Sequence, residues 1–66
     1  MQILLNGKPH ELLAETSVGD LITELGLKAG QAAFERNREI VPSSSYDSTI
    51  LEDNDEIEIV SFIGGG

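Results

Sequence analysis

The chain has 66 residues, 39% hydrophobic and 24% charged, and twelve acidic against four basic side chains give a formal charge of −8 and a pI near 4.2. A chain this short makes one domain that buries only about 60% of its unfolded surface, leaving little core for an enclosed cofactor cleft. The lack of cysteine and the single histidine, His10, exclude disulfides, thiolate zinc sites, cysteine-held iron–sulfur clusters and cysteine nucleophiles, while the acidic balance argues against nucleic acid, which is gripped by Lys and Arg.

Met1 leads directly into strand-like sequence with no basic leader, and no apolar stretch is long enough for a bilayer, so a cytoplasmic protein without a membrane contact is expected. Gln2 to Leu5 reads as the first strand. Asn6-Gly7 after it supplies the two positive φ values of a type I′ turn, the strongest short hairpin signal. The return strand should run from Lys8 to about Ala14, at a sheet edge because Pro9 has no N–H to donate. Ser17 is then a good helix N-cap, with Asp20 in the first turn where a carboxylate favours the macrodipole. Val18, Leu21, Ile22 and Leu25 fall on one helical face, and Gly26 stops the helix.

Gln31 to Asn37 resembles a third strand, turning through Arg36-Asn37-Arg38 into a short return at Ile40-Val41. Pro42 and Ser43-Ser44-Ser45 break that return into a loop, which Tyr46 should anchor by packing. Asp53-Asn54-Asp55 is a further turn. Beyond it Glu56 and Glu58 alternate with Ile57 and Ile59, the period-2 pattern of a half-buried strand. The layout is α+β: a mixed sheet of four to five strands with one main helix packed on one face. The order fits a ubiquitin-like β-grasp, with residues 1–62 as a single domain, 63–66 as a flexible glycine tail, and the first and last strands as parallel neighbours.

Gly64-Gly65-Gly66 is the unusual feature. Glycine costs more backbone entropy to fix than any other residue, so a folded domain gains nothing structural from such a tail. A tail that threads a narrow channel does gain: without side chains its backbone approaches closely, and the carboxylate of Gly66 can be presented at the tip. A carboxylate is a poor electrophile, but conversion to an acyl-adenylate supplies a leaving group that a sulfur nucleophile can displace, giving a thiocarboxylate. The chain has no phosphate-binding loop, so the ATP chemistry would belong to a partner, and no cofactor is expected on the chain itself. The bland alternative is a frayed end.

Other residues carry less. If Ile57 and Ile59 face the helix, then Glu56, Glu58, Val60 and Phe62 point to the open sheet face, and the apolar pair Val60 and Phe62 beside the tail forms a candidate docking patch. The alternative is that the strand twists and Phe62 closes the sheet edge as core. His10 is expected as a solvated surface residue and Arg36 and Arg38 as a surface pair, the alternative being that they meet an acidic patch on a partner. Glu52, Asp53, Asp55 and Glu56 read as a solvated acidic turn, since they lack the glycine and distal glutamate of an EF-hand loop.

With those residues placed, the chain resembles the ThiS family of thiamine-biosynthesis sulfur carriers, within the wider MoaD/ThiS group, over nearly its whole length. The resemblance is carried by Met1-Gln2-Ile3 with the Asn6-Gly7 turn and by the Ser17-Val18 start of a Leu-rich helix. It continues through the stretches running from Glu35 to Pro42 and from Leu51 to Val60, and closes on Gly65-Gly66. It implies that an E1-like enzyme, ThiF, adenylates Gly66 with ATP, and that a persulfide enzyme supplies sulfur. Thiazole synthase, ThiG, would then receive that sulfur while the thiazole of thiamine is built. The chain would itself be a monomeric protein co-substrate, not an enzyme, with Gly64 and Gly65 as the threading neck. Ser43 departs from the basic residue members often carry after Val-Pro, and Phe34 looks bulky for its position. The small subunit of molybdopterin synthase, MoaD, shares the fold and chemistry, but length and the Asn37 to Pro42 stretch favour ThiS. A ubiquitin-like modifier or a passive interaction domain is the reading from another class.

Overall fold

The first hairpin follows from two residues that accept left-handed backbone. In the computed structural model, which describes residues 1–28 and 30–61, Asn6 and Gly7 have φ of 50° and 83°, as a type I′ turn requires. They join β1 (Gln2–Leu5) to β2 (Lys8–Glu11), antiparallel with Leu5 opposite Lys8 and Gln2 opposite Glu11. β2 stops short of the expected Ala14. Leu12 N–H still donates to the Met1 carbonyl at 2.8 Å, but Glu15 at φ 65° then reverses the chain, and Thr16 Oγ1 bonds back to Leu13 O at 2.7 Å. Pro9 lies in this edge strand, where its missing N–H costs no ladder bond.

Helix α1 (Val18–Glu24) starts on a full capping box. Ser17 Oγ accepts from Asp20 N–H at 3.0 Å while Asp20 Oδ2 accepts from Ser17 N–H at 3.1 Å, so two otherwise orphaned donors are satisfied reciprocally. Val18, Leu21 and Ile22 are buried. Leu25, expected on the same face, is 37% exposed because it is already the C-cap, and Gly26 leaves the helix at φ 75°.

β3 (Ala32–Arg36) pairs antiparallel with β4 (Glu39–Ile40) through a turn with Asn37 and Arg38 at φ 51° and 72°. Pro42 ends that return, and Ser43–Ser45 form a 3-10 turn where an irregular loop was expected. β5 (Glu56–Ser61) lies between β1, its parallel neighbour, and β3, its antiparallel one, giving the order β2-β1-β5-β3-β4. This is the β-grasp arrangement of one helix on a mixed sheet. The helix-facing side supplies Ile3, Phe34 and Ile57 to the core, where they meet Val18, Leu21 and Ile22 from α1, and Leu12, Tyr46 and Leu51 from the connections. Phe34 is no misfit: it is fully buried, with its ring centroid 5.9 Å from that of Tyr46 at a tilt of 55°. Tyr46 thereby pins the serine loop, as its sequence position suggested.

Ser17→Ala removes one half of the capping box, and the urea midpoint should fall by the equivalent of about 1 kcal/mol with an unchanged slope. Phe34→Ala should cost about 3–5 kcal/mol. A 66-residue domain holds only on the order of 3–10 kcal/mol in total. The variant should therefore lose a large share of its stability, read as a markedly lower melting midpoint by circular dichroism.

Candidate functional site

β5 is the central strand, and residues 62–66 follow it directly in sequence. Phe62 and the three glycines Gly64, Gly65 and Gly66 lie outside the described residues. The strand that leads to them is held on both flanks, by β1 and by β3.

Cross-strand partners share a face, so the register assigns the side that α1 leaves uncovered. Glu56, Glu58 and Val60 of β5 stand there with Leu4 and Pro9 from the first hairpin, and with Ala33, Glu35 and Ile40 from the second. Val60 is 62% exposed and Ile40 72% exposed, and Ala33 lies opposite Val60. Glu35 faces Glu58 directly, a like-charge pairing that disfavours the isolated sheet. Leu4, Glu35, Glu56, Glu58 and Arg38 line a shallow depression on this face together with Gly7. Its three carboxylates repel phosphate, so the face suits a basic protein surface with an apolar centre better than a nucleotide.

The turn before β5 is a hydrogen-bonded lock, where a solvated acidic turn was expected. Asp55 is buried, and its carboxylate accepts from Arg36 Nε at 2.8 Å, Asn37 Nδ2 at 3.0 Å and Glu52 N–H at 2.8 Å. Asn37 continues the grip: its Oδ1 accepts from Glu56 N–H at 2.9 Å, and its own N–H donates to Glu56 O at 2.8 Å. Asp53 Oδ1 accepts from Gln2 N–H at 2.8 Å, joining the turn to β1. Burial by itself would raise the pKa of Asp55. The Glu52 N–H, the Asn37 amide and the Arg36 guanidinium outweigh it and hold the carboxyl below its ordinary value of 3.8.

Arg36 is therefore half-buried and ion-paired, where a surface residue was expected; a weaker contact to Glu52 at 3.4 Å completes its pairing. The signal for this lock is the antiparallel pairing of β3 with β5. Once Arg36 faces Ile57, the Arg36-Asn37 corner must lie beside Asp55. His10 is also corrected. It stands opposite Ile3 on the helix side and is half-buried, with Nε2 2.9 Å from Glu24 Oε2, tying the edge strand to α1. Among the described residues no group of three or more His, Asp or Glu is placed to hold a metal, and no helix is long and apolar enough to cross a membrane.

Residues 3–66 match the model of the ThiS family. The whole chain is 46% identical to a segment of a thiazole synthase from Paramagnetospirillum magneticum, and it spans a fifth of the length of that relative. It is 40% identical to the sulfur carrier protein ThiS of Bacillus subtilis, covering 94% of this chain and 96% of that one. The crystal structure of a thiamine biosynthesis protein, ThiS, from Geobacter metallireducens superposes with a TM-score of 0.84 at 30% identity, over the full length of both chains.

Because the Asp55 pKa is lower in the folded chain than in the unfolded one, its contribution is complete above the ordinary carboxylate range and fades as pH falls through the folded value. Asp55→Asn should cost about 1–3 kcal/mol near neutrality. Urea titrations across the acid range should show the gap to wild type closing once pH drops below 3.8.

Proposed function

The chain belongs to the ThiS family, and we propose that it is a sulfur carrier of thiamine biosynthesis whose working group is the carboxylate of Gly66. The observation that carries this reading is that the family match spans residues 3–66, from β1 to the C-terminal glycines.

In this reading an E1-like adenylating enzyme supplies ATP, and a carboxylate oxygen of Gly66 attacks its α-phosphorus with release of pyrophosphate. A persulfide sulfur then attacks the acyl carbon and AMP leaves with the bonding electrons. A second thiol cleaves the resulting acyl disulfide, leaving the thiocarboxylate on Gly66. No side chain of this protein takes part, which agrees with a fold that spends its polar groups on holding strands in register. The chain is thus a protein co-substrate, and the nucleotide belongs to the partner.

Delivery of that sulfur to a thiazole synthase is supported by the relatives of that name, of which this chain corresponds to about a fifth. The open sheet face is the proposed docking surface. Val60 gives it an apolar centre next to the tail, Phe62 is its proposed companion, and Glu58 with Glu35 and Glu56 gives an acidic surround. A partner with basic groups around an apolar hollow is the complement of such a face, and a net charge of −8 favours the encounter. Gly64 and Gly65 form the neck that lets the reactive carbonyl enter the partner's active site.

Incubation with an E1-like enzyme, ATP and a persulfide donor should exchange one oxygen of the chain for sulfur, read by intact mass. Deleting Gly66 should abolish the exchange without altering the fold; an unchanged mass for the wild type, beside a carrier that the same enzyme does convert, would refute the reading. Val60→Asp places a charge in the apolar centre and should raise the KM for the carrier about tenfold, as for an interface anchor.

A further inference from the structure

β1 ends at Leu5, whereas β5 runs on to Ser61. The parallel ladder between them is carried by Leu4 N–H donating to Asp55 O at 2.9 Å and Asn6 N–H donating to Ile57 O at 2.8 Å. In a regular parallel ladder the next bond would run from Ile59 N–H to the main-chain carbonyl of Asn6. Here the chain has already turned away at Asn6-Gly7, and the side chain of Asn6 makes that rung instead. Ile59 N–H donates to Asn6 Oδ1 at 2.9 Å, and Asn6 Nδ2 donates to Ile59 O at 3.4 Å. A carboxamide carries the same donor and acceptor as a peptide unit, so it serves as one more residue of β1. The turn alone does not demand asparagine, because glycine adopts φ near 50° at no steric cost.

We propose that Asn6 is a positioning residue for the carrier chemistry: its side-chain amide extends the parallel ladder to Ile59 and fixes the strand end from which residues 62–66 depart. The inference rests on the carrier reading above. β3 holds the other flank of β5 as far as Ser61, so Asn6 supplies the matching hold on the β1 flank past Leu5. Without it the strand end opens more often, and the activating enzyme must re-order it each time it docks. That cost falls on binding. It raises KM and leaves kcat unchanged, since the carboxylate, once seated, meets the same catalytic groups.

The test compares wild type, Asn6→Gly, which keeps the turn and removes the amide, and Asn6→Asp, which keeps an oxygen acceptor at the same place. By amide hydrogen exchange, Asn6→Gly should speed the Ile59 N–H about tenfold, on the order of one or two lost hydrogen bonds. The Leu21 and Val41 amides, bonded in α1 and behind the second hairpin, should keep their wild-type rates; a merely destabilised protein would speed all three. In the sulfur-exchange assay, Asn6→Gly should raise the KM for the carrier about five- to tenfold at constant kcat, and Asn6→Asp should recover most of the loss. Unchanged Ile59 exchange, or an unchanged KM, overturns the proposal and leaves the carrier reading intact. A wild-type chain that never gains sulfur overturns the carrier reading, and this inference with it.

Discussion

The parallel pairing of β1 with β5 is the constraint on which the rest of the molecule depends. It joins Leu4 and Leu5 to Glu56 and Ile57, residues from opposite ends of the chain. Parallel neighbours cannot be linked by a tight turn, so the intervening chain must cross over, and the crossover must cover the sheet. Helix α1 does so, with Val18, Leu21 and Ile22 pressed against Ile3, Phe34 and Ile57. Closing so long a loop is entropically unfavourable. That explains why polar side chains on both flanks reinforce β5: Asn37 and Asp55 at its start, and Asn6 further along.

Among the described residues, the same arrangement leaves one face of the sheet open. Helix α1 covers one side, and the other carries Val60, Leu4 and Ile40 among the carboxylates of Glu35, Glu56 and Glu58. The pairing of Glu35 with Glu58 works against the isolated fold, and a cationic partner surface would relieve it. Stability is kept in the core and in the locks at the ends of β5, so the open face need not contribute to it. In the carrier reading proposed above, that separation would let a partner dock on the open face without rearranging the core.

The two hairpins show one device used twice. Asn6 and Asn37 each open a turn in left-handed backbone, and each turns its side-chain amide onto the backbone of β5, from opposite flanks. Asparagine suits both tasks, since it tolerates positive φ and carries a peptide-like donor and acceptor. An aspartate in either place could only accept, and a glycine would turn without holding.

The sequence by itself determined the elements with local causes. Asn6-Gly7 specifies the first turn, Ser17 with Asp20 the helix start, and the alternation after Glu56 the last strand, because each signal acts over a few residues. It also determined the family, through stretches spread over the whole chain and closing on the glycines. What only the tertiary structure decided was which polar residues are spent inside. Asp55 was indistinguishable from its acidic neighbours until the pairing of β3 with β5 brought Arg36 and Asn37 to it. His10 looked solvated until α1 brought Glu24 beside it, and Phe34 looked oversized until Tyr46 closed over its ring. Each of these partners lies ten or more residues away in the chain. Local propensity says nothing about such pairs, and only the closing of the sheet brings them within reach of a hydrogen bond or a ring contact.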